Sequence, residues 1–175
     1  GISPSSNGAQ THRVIAPARI LDESQPGVAL WHDYGAFSLY QVTDQALNQL
    51  TAEARSQIEL NPDMDRLMFD RHPVDTRMAQ PNLPAALTIQ EPTGASLHLL
   101  QFVGPIQDSW LDAVTATGSR LVQYVANNGY LVWTDAASRD QLNALAAAGD
   151  VVQFSAPFQP AYKLGASIEN RVLTR

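Results

Sequence analysis

The chain has 175 residues, 45% of them hydrophobic, which is enough for one ordinary domain or two small ones. Asp and Glu number 17 against 11 Lys and Arg, and a net charge of -6 with no basic cluster excludes a nucleic-acid surface. With no cysteine there is no disulfide or thiolate metal site, and no apolar run is long enough to span a membrane.

Residues 1–13 are small, polar and aperiodic, and read as a disordered leader. Residues 14–70 read as an N-terminal module of order β-turn-β-α-β. Its pieces are a strand at Arg19-Ile20-Leu21, a strand over 28–31, a turn at Asp33-Tyr34-Gly35, a strand over 36–42, a helix over 43–55 and a strand over 58–60. Asn61-x-Asp63-x-Asp65 has the alternation that opens a calcium loop. Arg66 stands where the glycine belongs and His72 where the bidentate glutamate belongs, so the stretch reads as a polar turn before Leu67-Met68-Phe69. Pro73, Pro81, Pro84 and Pro92 make 71–94 an extended connector.

Residues 95–164 carry a complete pattern. An apolar run over 97–103 precedes a helix over 105–118 that Gly104-Pro105 starts, Ile106, Trp110 and Val114 stripe and Gly118 stops. A run over 121–125 and a run over 130–133 flank Asn128-Gly129, whose backbone freedom suits a tight hairpin. Ser138 and Gln141 form a capping box for a helix over 138–149 that ends on Gly149, and a last run covers 151–154. The order β-α-β-β-α-β predicts an α+β, ferredoxin-like split arrangement, with two helices on one face of a four-stranded antiparallel sheet. Residues 165–175 form an irregular tail.

The N-terminal module resembles a degenerate copy of this unit. Gly35 and Gly129 each end a hairpin turn, and Leu47-Asn48-Gln49-Leu50 stands where Leu142-Asn143-Ala144-Leu145 stands.

Both sides of the first C-terminal strand are apolar: Leu97, Leu99 and Val103 on one, Leu100 and Phe102 on the other. Tyr130-Leu131-Val132-Trp133 repeats this. Two helices cover one side, so the second cover comes from the N-terminal module or from a partner protein.

The strings Leu100-Gln101-Phe102-Val103-Gly104-Pro105-Ile106, Gln123-Tyr124-Val125-x-Asn127-Asn128-Gly129-Tyr130-Leu131-Val132 and Pro157-Phe158-Gln159-Pro160-Ala161-Tyr162-Lys163-Leu164 are similar to the long propeptides of secreted bacterial subtilisin-like serine proteases. The resemblance implies a secreted or periplasmic domain that helps its protease fold and then inhibits it. It implies a docking face drawn from Leu100, Phe102, Tyr124, Tyr130, Val132 and Phe154, against a cognate subtilisin-like catalytic domain. It also offers Phe158, Pro160, Tyr162, Lys163 and Leu164 as a cleft-binding tail. In proteases of this type a further segment usually follows the Tyr-Lys-Leu motif, which would make that stretch an internal turn instead.

The sequence has no signal peptide, so an exported protein is read here in processed form. Catalysis is not expected. No serine lies in a Gly-Thr-Ser context, His12, His32, His72 and His98 are isolated from one another, and no phosphate loop occurs. No cofactor and no metal is expected. A free-standing protease inhibitor or interaction module on the same fold is the alternative. A small-ligand-binding domain lacks a convergent polar cluster.

Overall fold

The structure is a computed structural model, and it describes residues 10–60, 62–69, 74–77, 88–90 and 92–163. The protein is mixed α+β and divides into two compact units, Gly1–Pro62 and Asp63–Arg175. Among the described residues no helix is long and apolar enough to cross a membrane.

The N-terminal unit contains β1 (Thr11–Pro17), β2 (Val28–Asp33), β3 (Phe37–Thr43), α1 (Asp44–Gln49), α2 (Ala52–Gln57) and β4 (Glu59–Leu60). Its strands pair antiparallel in the order β2-β3-β1-β4. Alternation puts Val14 and Ala16 of β1, Tyr40 and Val42 of β3 and Val28 of β2 into one core, closed by Ala46 and Leu47 of α1.

Two expectations fail here. The first strand is Thr11–Pro17 and takes in the end of the supposed leader, whose residues 1–9 lie outside the described ones. Its inward pair, Val14 and Ala16, is too small to stand out as a periodic signal. Arg19-Ile20-Leu21 is instead an irregular turn after β1, with Arg19 at φ 65° and Leu21 buried in the same core. The single helix of 43–55 is in fact two, because Thr43 and Thr51 each cap a start, accepting from the N–H of Ala46 and of Ala54 at 3.2 Å.

The 3₁₀ turn Pro62–Asp65 spans the division at Asp63, and the C-terminal unit continues with the two-residue strands β5 (Arg66–Leu67) and β6 (Val74–Asp75), which pair with each other. There follow β7 (Ser96–Phe102), α3 (Asp108–Ala116), β8 (Arg120–Val125), β9 (Gly129–Thr134), α4 (Ala136–Ala148), β10 (Val152–Pro157) and a second 3₁₀ turn, Pro160–Lys163. The long strands form one antiparallel sheet of order β10-β7-β9-β8. Matching β1 with β7, β2 with β8, β3 with β9 and β4 with β10 gives both units the same neighbour order, and loop 18–27 then stands where α3 does.

Local starts differ from expectation in physically simple ways. Helix α3 begins at Asp108, with Gln107 as N-cap, so Gly104-Pro105 shapes the bend before the helix and not its first turn. Helix α4 begins earlier than Ser138, because the Asp135 carboxylate accepts from the Ser138 N–H at 2.8 Å. In the β8–β9 hairpin the left-handed positions are Asn127 (φ 66°) and Asn128 (φ 62°), and Gly129 already belongs to β9. Gly118 and Gly149 end α3 and α4 with φ of 91° and 68°, the helix stops expected of them.

Candidate docking surface

The sheet of the C-terminal unit has two apolar faces, and the side chains follow strand register. His98, Leu100 and Phe102 of β7 point to the helices, and Phe102 stacks on Trp110 of α3 at 6.0 Å. Register carries that face outward as the row Ser155, Leu100, Tyr130, Tyr124. Val132 lies beside it, opposite His98.

Leu99, Gln101, Phe154 and Ala156 face the other way. Leu67 of β5, Val74 of β6, Phe69, Phe158 and Tyr162 close over them. The three aromatic rings of this cover pack together, Phe69 stacked on Tyr162 at 4.7 Å and Phe158 meeting Tyr162 edge to face at 5.3 Å. Burial pushes the Tyr162 phenol up to about 12. The second cover therefore comes from segments the sequence had divided between N-terminal module, connector and tail. Leu67 and Val74 are single apolar residues on two-residue strands, too short to show a period, and their partners lie far along the chain.

A polar hub fixes this cover. Gln101 is fully buried, and its Oε1 accepts from Thr76 Oγ1 and from Gln153 Nε2 at 2.6 Å, while its Nε2 donates to the Asn127 carbonyl at 2.9 Å. Gln153 Nε2 also donates to the Met64 carbonyl at 2.8 Å, and Asn127 Nδ2 donates to the Arg66 carbonyl at 3.0 Å. Asp75 closes the segment with a bidentate pair to Arg77, whose hydrogen bonds hold the carboxyl down to about 2. On the connector, Ile89 and Gln159 exchange backbone and amide hydrogen bonds. The buried Arg139 guanidinium of α4 donates to the carbonyls of Pro92 and Gly94 and to Ser96 Oγ.

The residues that sequence reading offered for docking thus separate. Leu100, Phe102 and Val132 are fully buried beneath the helices, and Phe154 is buried on the opposite face, so none of the four meets a partner in this conformation. Tyr124 is 53% exposed and touches the half-buried Tyr130 edge to face. Val122, which the sequence reading passed over, is 46% exposed on β8, and Trp133 of β9, opposite Leu97 and so on the other face of the sheet from Tyr130, is 42% exposed. Edge strand β8 carries a bulge between Leu121 and Gln123. The adjacent apolar pair Leu121-Val122, which breaks a two-residue alternation, is the trace that bulge leaves in the sequence.

The tail also differs from expectation. Phe158 continues the sheet by donating its N–H to the Leu97 carbonyl at 3.0 Å, Pro160 lies in the closing 3₁₀ turn with Lys163, and Tyr162 is buried. Leu164 lies outside the described residues. Nothing in Phe158 or Tyr162 is held free for a protease cleft.

Residues 64–159 match a protein family described as a domain of unknown function, DUF8729. The chain belongs to that family. No curated protein matches the chain. The DUF8729 match begins within the 3₁₀ turn before β5, so the domain takes in the covering strands β5 and β6 as well as the four-stranded sheet.

Proposed function

We propose that this chain is the non-catalytic propeptide region of a secreted subtilisin-like serine protease, assisting the folding of the catalytic domain and then inhibiting it. The observation that carries the reading is the antiparallel sheet order β10-β7-β9-β8 with α3 and α4 between its strands in sequence; it supports reading the unit as a ferredoxin-like split βαββαβ domain on which the propeptide-like strings fall in order. The Val103-Gly104-Pro105 string leaves β7, the Asn-Asn-Gly string makes the β8–β9 hairpin, and the Pro-Ala-Tyr string closes the unit after β10.

Docking in this reading uses the β8–β9 side of the unit. Val122, Tyr124 and Trp133 are the large apolar side chains exposed along this edge, Tyr124 beside Tyr130 on one face and Trp133 on the other. Such groups at an interface centre carry most of the binding energy. Burial of Tyr162 and the packing of half-buried Phe158 against it favour a second reading, an interaction module that docks without sending a strand into the cleft.

The test is inhibition of a panel of bacterial subtilisin-like proteases by the folded chain, together with its effect on the refolding of the same denatured proteases. Inhibition is expected, and Tyr124→Asp and Trp133→Asp each weaken it tenfold or more, on the order of 1.4 kcal/mol or above. Absence of inhibition and of any refolding effect across the panel overturns the reading. Inhibition without cleavage of the chain, unchanged by removal of 164–175, favours the docking module.

A further inference from the structure

His98 lies on β7 beneath α4, fully buried. Its Nε2 is 2.8 Å from Ser155 Oγ of β10, and Ser155 donates its hydroxyl to Asn143 Oδ1 of α4 at 2.8 Å. A hydroxyl has one proton to give. With that proton on Asn143, the Ser155 oxygen accepts from the imidazole, and His98 is the neutral tautomer with its proton on Nε2. The bare Nδ1 is buried with no hydrogen-bond partner.

A second proton has nowhere suitable to go. Placed on Nδ1, it makes a buried N–H without an acceptor and a cation in a dry site. The groups around the ring add no compensation. Asn143 and the buried Arg139 come from α4, Ser155 from β10 and Val132 from β9. The carboxylates of the two covering helices, Asp108, Asp112 and Asp140, are all exposed. Burial first, and the Arg139 charge second, depress the imidazole to about 4, against a smaller opposing contribution from Asn143.

We propose that the row His98, Ser155, Asn143 is an acid-sensitive latch that holds α4 to the sheet only while the imidazole is neutral. The inference stands apart from the protease reading, since it concerns the unit's own packing. The unfolded chain binds the proton near the ordinary histidine value of about 6.5, and the folded one only well below it. The latch's contribution is therefore complete above that value and drains away as the pH falls from there toward about 4. Between those limits the folding equilibrium loses on the order of a hundredfold through this one group.

Two measurements on the whole chain decide it. Nuclear magnetic resonance of the His98 ring is expected to show the Nε2–H tautomer and a titration midpoint below about 5. An Nδ1–H ring, or a midpoint at or above the ordinary value, overturns the latch. Urea unfolding from pH 7.5 to 4.5 is expected to show the wild-type folding constant falling on the order of a hundredfold further than that of His98→Gln, a neutral amide on the same strand. Equal pH slopes in the two proteins overturn it. Should His98→Gln not fold, the ring titration decides alone.

Discussion

Gly129 shows how a single residue reports on two elements. Its backbone is not in the left-handed region, so the hairpin does not demand glycine there; Asn127 and Asn128 take the positive angles. A Cβ at Gly129 would instead sit 2.4 Å from Leu67 Cδ2 and 2.9 Å from Val125 Cβ. The glycine is needed by the cover that crosses it. Gly129→Ala is expected to destabilise the C-terminal unit by about 1–3 kcal/mol, measured by urea unfolding, because Leu67 and the hairpin must both give way. Gln101 has the same double role. Gln101→Met keeps the volume but takes the shared partner from Thr76, Gln153 and the Asn127 carbonyl; Thr76 and Gln153 still reach the Asp65 and Met64 carbonyls, so the loss is about 1–3 kcal/mol in total. Hydrogen exchange should show the loss first at the Thr76 amide, which is bonded to the Asp65 carbonyl at 2.7 Å.

At the scale of elements, the runs with strong periodicity were readable and the short ones were not. Strand β7, the β8–β9 hairpin, α3, α4 and β10 all lie within a few residues of where apolar spacing and glycine stops put them. Their starts moved because capping is a contest between neighbours. Asp135 and Ser138 are both good caps, and a carboxylate able to reach the Ser138 N–H took the role. Those same hydrogen bonds from Ser138, backbone first, hold the Asp135 carboxyl below its ordinary value. Its contribution is therefore present above about pH 4 and fades as the pH falls through the depressed value. Asp135→Ala is expected to lower the thermal midpoint at pH 7 and to change it little at pH 2, whereas Asp135→Asn retains most of the midpoint at both. Strands β5 and β6 were invisible for another reason. Two residues carry no period, and what makes them strands is a sheet contacted across a long loop.

Across the whole molecule, the need for a second cover was legible, and its source was not. Counting apolar residues on both sides of β7 says that something must lie on each; it cannot say which distant segment does. Docking residues were misjudged on the same ground. Leu100 and Phe102 are apolar because α3 and α4 sit on them, and Tyr124 and Trp133, which resemble them in sequence, lie where the cover ends. The family match over 64–159 and the compact unit starting at Asp63 set nearly the same N-terminal limit by unrelated means. A fragment of residues 63–175 is therefore expected to unfold cooperatively in urea, and a fragment of 95–175 to lose that cooperativity and bind a hydrophobic dye through its bared Leu99 and Phe154. Equal behaviour of the two would mean that β5 and β6 are ornament.

The amide hub under that cover has one more consequence. Grease alone would let two short strands slide along an oily sheet and settle anywhere. A slip of a single residue here would strand the Gln101 and Gln153 side chains in dry surroundings, so the covering piece has one berth, chosen by polarity and merely glued by carbon.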